Sequence, residues 1–192
     1  MIPRKIIYES DKGKLFDHFL VDIVGHDRYL RFGYNASNSN IENYLESSLK
    51  KFGQNNMWFV VEKDGQFVGT VHVSLLPNDT AEMGFTVSPD YRDQGLGQDL
   101  FIRGATWAMM KGAKTLYTQC LSENQVMQHI AKKNGMTVVT IDPSEKESTI
   151  EVKQSRVEAG FRDYVMDTIA VYDMAVRHHY FFVKKYLKGL VK

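Results

Sequence analysis

The sequence holds one cysteine, almost no net charge and no long apolar run. Cys120 has no internal partner, so no intramolecular disulfide staples the chain, which fits a reducing compartment. A formal net charge of +1 gives no support for a surface that binds nucleic acid or an acidic membrane. No stretch approaches the roughly 20 apolar residues that a membrane span requires. The first residues, MIPRKIIYESDKGK, put charges where a signal peptide needs its apolar stretch. Internal repeats and low-complexity tracts are missing. So is any cluster with metal-ligand spacing: His178 and His179 are adjacent and point to different helical faces. These absences lead us to expect a cytoplasmic protein with no metal, nucleic-acid or membrane partner.

What is present is enough to build a core. Hydrophobic residues make up 43% of the 192 and aromatics 12%, which suits one domain with room for an appendage. Residues 4–9 read as a first strand. Leu15, Phe16, Phe19, Leu20 and Ile23 recur at helical spacing over residues 11–24. The segment DRYLRFGYNAS is aromatic and basic without a clear period. Asn38 or Ser39 caps a helix expected from about Ile41 to Lys51. Strands follow at 58–63, 66–75 and 80–87, joined by turns at Asp64-Gly65 and Pro77-Asn78-Asp79; together they predict an antiparallel meander.

After Ser88-Pro89 a helix is predicted from about Gly95 to Lys111, then a strand from Thr115 to Leu121. Ser122, with Gln125 three residues on, reads as a capping box that starts a helix ending at Gly135. Residues 136–141 and 148–153 read as a hairpin around PSEKE. From 155 to 190, apolar residues including Phe161, Val165, Ile169, Tyr172, Val176 and Tyr180 recur every three or four positions. A helix of that length would reach roughly 50 Å, more than such a domain can cover, so a break in the helix or a partner is expected. The expected division is a domain of residues 1–154 and a helical extension of 155–192.

The chemistry concentrates where a strand runs into Ser-Pro, then Arg-x-x-Gly-x-Gly, then a helix. Gly95 and Gly97 remove side chains from a tight turn, so backbone can approach a bulky anion. The first N–H groups of a helix have no partner within it and sit at the positive end of its dipole. Such a turn suits a pyrophosphate, with Arg92 as an added charge. A plain turn is the competing reading of the same glycines. The segment is not a P-loop, which would end in Gly-Lys-Ser/Thr. Nor is it the dinucleotide fingerprint, which opens on a first βα turn.

The segment VSPDYRDQGLGQDLF resembles motif A of the GNAT (GCN5-related N-acetyltransferase) superfamily, and AEMGFTV before it resembles that family's fourth strand. ENQVMQHIAKKNGM downstream resembles its motif B. The resemblance implies an α/β fold: a mixed, mostly antiparallel sheet with flanking helices, here with a long C-terminal helix. It also implies acetyl-CoA as co-substrate, with its pantetheine arm lying like an added strand in a gap between strands four and five. Backbone groups around Phe85, Thr86 and Val87 would pair with that arm, and the N–H near Val87 would polarise the thioester. Arg92, Asp93, Gln94, Gly95, Leu96 and Gly97, with Gln98 close by, would hold the pyrophosphate. Asn124 would contact the pantetheine arm.

The implied reaction is acetyl transfer to a primary amine by direct attack on the thioester. It needs a base, a polarised carbonyl and a proton for the leaving thiolate. Glu82 is the candidate base, with His72 on the neighbouring strand as the other; either could equally be structural. Many relatives have a tyrosine acid seven residues after the motif-B asparagine, and here Ala131 stands there. Tyr117 and Cys120 read as packing residues. HDRYLRFGYNAS either lines the amine site, with Arg28 and Arg31 meeting an acidic group, or is a loop packed by its aromatics. Two other readings stand beside the enzyme: an acyl-CoA-binding sensor or scaffold without catalysis, and an assembly protein dominated by its helix. The long helix also makes a homodimer possible.

Overall fold

The computed structural model describes residues 1–50, 52–141, 143–151 and 156–190. It is a mixed α/β structure around a seven-stranded sheet. The strands are β1 (Arg4–Lys5), β2 (Asn56–Lys63), β3 (Gln66–Leu76), β4 (Thr80–Val87), β5 (Thr115–Leu121), β6 (Thr137–Thr140) and β7 (Glu145–Glu151), in the spatial order β1-β2-β3-β4-β5-β7-β6. Every neighbouring pair is antiparallel except β4 and β5. Asp64 and Gly65 both take positive φ, 51° and 86°, the twist that lets two residues close the β2–β3 hairpin.

Alternation along β2 divides the interior in two. Phe59 and Val61 face one side, with Val71, Val73, Met83 and helix α4 (Leu96–Met110). Trp58 and Val60 face the other, with Leu15 and Phe19 from the segment that opens with α1 (Tyr8–Asp17), and with Ile41 and Leu45 of α3 (Asn38–Lys50). Gly104 lets α4 lie close on the sheet: a Cβ there would stand 3.0 Å from Val73 Cγ2 and 3.3 Å from Met83 Sδ.

The final helix, α6 (Arg156–Leu190), runs without a break, which leaves a partner as the other half of the expectation. Its first half is held by Ala159, by Gly160 over Met110 and by charge. Arg103 of α4, fully buried, pairs with Asp163 and Asp167, and Lys5 reaches the same carboxylates at 2.8 and 2.6 Å. Beyond Ala170, the residues Val171, Tyr172, Val176, Tyr180 and Tyr186 are exposed.

Four local expectations change. Strand β1 is two residues long, because α1 begins at Tyr8; residues 18–22 then continue as one π-helical turn. The segment read as aperiodic is a helix, α2 (Gly25–Phe32), closed by Gly33 in the left-handed region. Helix α5 (Gln125–Lys133) is capped by Asn124, whose side chain accepts from the Met127 N–H at 3.1 Å, and not by Ser122. Strand β7 starts at Glu145, inside the segment read as a turn, and is described to Glu151; residues 152 and 153 of the expected strand lie outside the described residues.

Candidate active-site cleft

Strands β4 and β5 are bonded only over three rungs, Thr80–Glu82 against Thr115–Tyr117. Past Glu82 they part, and β5 pairs only with β7 on its far side. A cleft of about 450 Å³ fills the gap. Gly84 to Val87 line one wall and Thr118 to Cys120 the other; α2 contributes Asp27, Leu30 and Arg31, and α5 contributes His129 and Lys133.

The β4 wall offers backbone, because its side chains are committed elsewhere. Phe85 stacks on Phe101, rings 6.2 Å apart. Thr86 is tied beneath the strand. His18 Nδ1 lies 3.1 Å from the Phe67 carbonyl, which can only accept, so Nδ1 carries the proton. Nε2 is then the acceptor for the Thr86 hydroxyl at 2.8 Å, and Thr86 in turn accepts from Thr70 at 2.7 Å. Burial, only partly offset by Asp22 and the Phe67 carbonyl, holds His18 down to about 4, so it is neutral at pH 7.

At the end of this wall the chain makes the Arg92–Gly97 turn. Asp93 and Gly95 have φ of 58° and 80°, and Gly95 caps α4. The N–H groups of Gln98 and Asp99 turn back to the Gly95 carbonyl. Those before them have no acceptor within the helix and stand at the positive end of its dipole. No atom lies within 4 Å of a Cβ built on Gly95, so this glycine answers a backbone need. Gly97 answers a packing need as well: its Cβ would stand 2.7 Å from Ile130 Cδ1 of α5. Gln98 and Asn134 exchange side-chain amide bonds at 2.7 and 3.0 Å across the same contact.

Of the expected cofactor residues, Phe85, Thr86, Val87, Arg92, Asp93, Gly95, Leu96, Gly97, Gln98 and Asn124 all line the cleft. Gln94 does not; its amide turns to the Asp90 carbonyl at 3.4 Å. Arg92 is shared between the Val87 carbonyl at 3.4 Å and Asp27 at 2.6 Å, an ion pair that ties α2 to the turn. An open strand edge, a helix N-terminus and the cations Arg92 and Lys133 in one groove suit a long ligand with phosphates at one end.

The two candidate bases stand outside the lining. Glu82 is exposed on the last bonded rung, at the apex of the gap. His72 is half-buried at the edge of the core. Its ring stacks on Trp58 at 4.5 Å, Nε2 lies 2.8 Å from Asn56 Oδ1 and Nδ1 2.9 Å from the Tyr44 hydroxyl. Burial first, then the charge of Arg31, lowers it to about 3. Both nitrogens are occupied, so His72 does not meet a ligand directly. Arg28 also turns away, to Asn38 Oδ1 at 2.8 Å and the Ile23 carbonyl at 3.1 Å, while Arg31 of the same segment enters the cleft. Tyr117 bonds Glu147 at 2.8 Å. Cys120 lines the cleft, its thiol pushed up by burial and only partly relieved by Lys146. His129 also lines it. Ala131 is buried in the core. Among the described residues no group of three His, Cys, Asp or Glu could hold a metal ion.

A parted β4/β5 pair ending in a glycine turn at a helix N-terminus defines the class as an acyl-CoA-type transferase fold. Residues 25–136 match the profile of the Acetyltransferase (GNAT) family, and the chain belongs to that family. A Bacillus subtilis (strain 168) protein with the provisional name ribosomal protein bS18-alanine N-acetyltransferase is 30% identical over 79 residues, 41% of this chain. The chain spans about half, 52%, of that protein's length. The GNAT domain of S. lividans PAT superposes with a TM-score of 0.65 at 18% identity, covering 78% of this chain and 89% of that one. The PaiA N-acetyltransferase of Thermoplasma acidophilum, solved with coenzyme A, gives 0.59 at 16%, covering 78% and 98%. At these identities the two structures establish a shared fold.

Proposed function

We propose that the chain transfers an acetyl group from acetyl-CoA to a primary amine. The observation that carries this reading is the convergence, in one cleft, of the open β4 edge with the Gly95 turn. Coenzyme A in a solved structural relative supports the cofactor. When bound, acetyl-CoA would supply the activated thioester. Phe85, Thr86 and Val87 would present backbone to the pantetheine arm; strand spacing puts Val87 roughly 17 Å from Glu82, so an N–H nearer Gly84 would polarise the carbonyl. Arg92 to Gly97, with Gln98, would hold the pyrophosphate, and Asn124 would meet the arm while capping α5. Glu82, at the apex, would take the amine's proton through one water. His72 would act through Tyr44 as a positioning residue for Arg31. Ala131 offers no acid, so water would return the proton to the leaving thiolate. The likeness to the Bacillus protein favours a protein amine as acceptor, with a small-molecule amine as the other class. We place the protein in the cytoplasm, where Cys120 beside the cofactor would stay reduced. Residues 1–154 would be the catalytic domain and 155–192 the extension, through whose exposed face a homodimer would form.

The buried Ala131 favours a second reading, an acyl-CoA sensor that binds without turnover. Thiol release from acetyl-CoA across peptides, polyamines and small amines separates the two. Release above background supports transfer; thermal stabilisation by CoA without release supports the sensor. The cofactor site has its own test. Gly95→Glu places a bulky negative side chain at the turn, where space is open. It should abolish a stabilisation by CoA that reaches about 2.7 kcal/mol at a hundredfold excess over Kd. Unchanged stabilisation would remove the pyrophosphate from this turn.

A further inference from the structure

Arg31 is a cation built into the mouth of the cleft and has no anion in contact among the described residues. It stands in the last turn of α2, on the face that also carries Asp27 and Leu30 into the cleft. Its guanidinium lies flat against β4 where Gly84 has no side chain; a Cβ at Gly84 would stand 2.7 Å from Arg31 Cζ. The Phe32 and Tyr44 rings lie 5.2 and 5.4 Å from it. Nη2 donates to the Tyr44 hydroxyl at 2.7 Å. That hydroxyl donates to His72 Nδ1, and His72 Nε2 donates to Asn56 Oδ1, so four residues form one chain with every donor pointing inward. The chain fixes the guanidinium without neutralising it. Nε is buried with no partner; Nη1 is not buried and has no partner among the described residues. No carboxylate lies within 4 Å of Arg31 among the described residues, nor of Arg28, which turns away from the cleft, whereas Arg92 and Arg177 each have one and Arg4 and Arg103 each have two. A half-buried guanidinium without a counter-ion carries a desolvation cost that an anion would relieve.

We infer that Arg31 selects an acceptor that carries a carboxylate a few bonds from its amine. The inference rests on the transferase reading and names the acceptor class for it. Glu82 and Gly84 are two residues apart on one face of β4. The strand therefore sets a carboxylate at the apex and a guanidinium roughly 7 Å along it. An acceptor of opposite polarity fits that pair: its amine toward Glu82 and the thioester, its carboxylate toward Nη1 of Arg31. A peptide beginning with Asp or Glu, or a free amino acid, has this form. A polyamine does not.

The test compares matched acceptors: peptides beginning Asp or Glu against the same peptides beginning Asn or Gln, and amino acids against their carboxamides, with phosphoethanolamine as an amine bearing a different anion. The acid should exceed its amide in kcat/KM by on the order of 10–100-fold, the usual scale for a lost charge-assisted bond. Arg31→Met, which keeps the stem, should reduce that ratio to within about threefold while CoA binding stays unchanged; Arg31→Lys should restore part of it. Should Arg31→Met fail to fold, Arg31→Gln carries the same comparison. Equal use of acid and amide by the unaltered protein overturns the inference, as does a preference that survives in Arg31→Met. Preference for phosphoethanolamine over every carboxylate overturns the carboxylate. Binding gives a readout without turnover: N-acetyl-glutamate should stabilise the CoA-bound protein more than N-acetyl-glutamine amide does. If that difference holds while no acceptor releases thiol, the inference stands and the transferase reading fails; if it is absent, the inference fails.

Discussion

Asp27 and Arg92 pair at 2.6 Å across the cleft, and each ends where a ligand phosphate would need the arginine free. The pair is partly exposed, so its own worth is small. A phosphate bound by Arg92 must nonetheless break it or share it. Asp27→Asn should therefore tighten CoA binding, by roughly two- to tenfold at low salt, with the gain shrinking as salt rises. Calorimetric titration of CoA at two ionic strengths checks it, and weaker binding in the variant would show that Asp27 helps to orient Arg92. Gly97 gives a second residue-scale prediction. Its Cβ would meet the tip of Ile130, so Gly97→Ala should cost about 1–3 kcal/mol in denaturant unfolding. Ile130→Val should recover part of that loss in the double variant. The glycine pair was legible in the sequence as a turn that frees backbone. That reason suffices for Gly95; the reason for Gly97 lies 33 positions away in the chain and carries no local signature.

Elements that announce themselves locally were read well. The β2–β3 hairpin follows from Asp64-Gly65, and α4 follows from an apolar face opened by a glycine turn. Failures came where two local signals competed or tertiary contacts decided. Ser122 and Asn124 can both cap a helix, and Gln125 completed a box for the first; the fold uses the second. Strand β7 is charged because it forms ladders on both sides without needing an apolar face, so its first residues resemble a turn. Helix α2 is eight residues long and none of them is fully buried, so its short amphipathic pattern did not stand out as an element. The helices over this face are joined to the sheet by His18 and His72, and that sets a pH dependence. Both histidines have folded values lowered from an ordinary 6.5, to about 4 and about 3. The unfolded chain therefore binds more protons below pH 6.5. The stability contributed is full above 6.5 and is lost as pH falls toward 4 and then 3. Between pH 6.5 and 4.5 each should cost on the order of 3 kcal/mol. Urea unfolding at pH 7.5, 5.5 and 4.5 should show a falling midpoint, with a smaller fall in His72→Gln. A midpoint flat across these values would mean that neither ring is held neutral by burial.

At the scale of the whole molecule, α6 is two things in one helix. Its first half neutralises Arg103, which would otherwise be a buried charge; its second half carries tyrosines and valines into solvent. Truncation after Ala170 keeps Asp163 and Asp167 and should leave the fold and CoA binding intact, while truncation before residue 156 should destabilise by about 3–5 kcal/mol. If the exposed half joins two copies, sedimentation should show a dimer in the full chain and a monomer after Ala170. A monomer in both would assign that face to another partner.

The gap between β4 and β5 has a consequence in time as well as space. Over Gly84–Val87 the sheet has an edge in its middle: alternate peptide groups bond β3, and those between them face the cleft. The alternate amide protons that face the cleft should exchange with solvent quickly despite their central position, and slow sharply once a ligand closes the row, so exchange at every second residue would record how long each ligand stays.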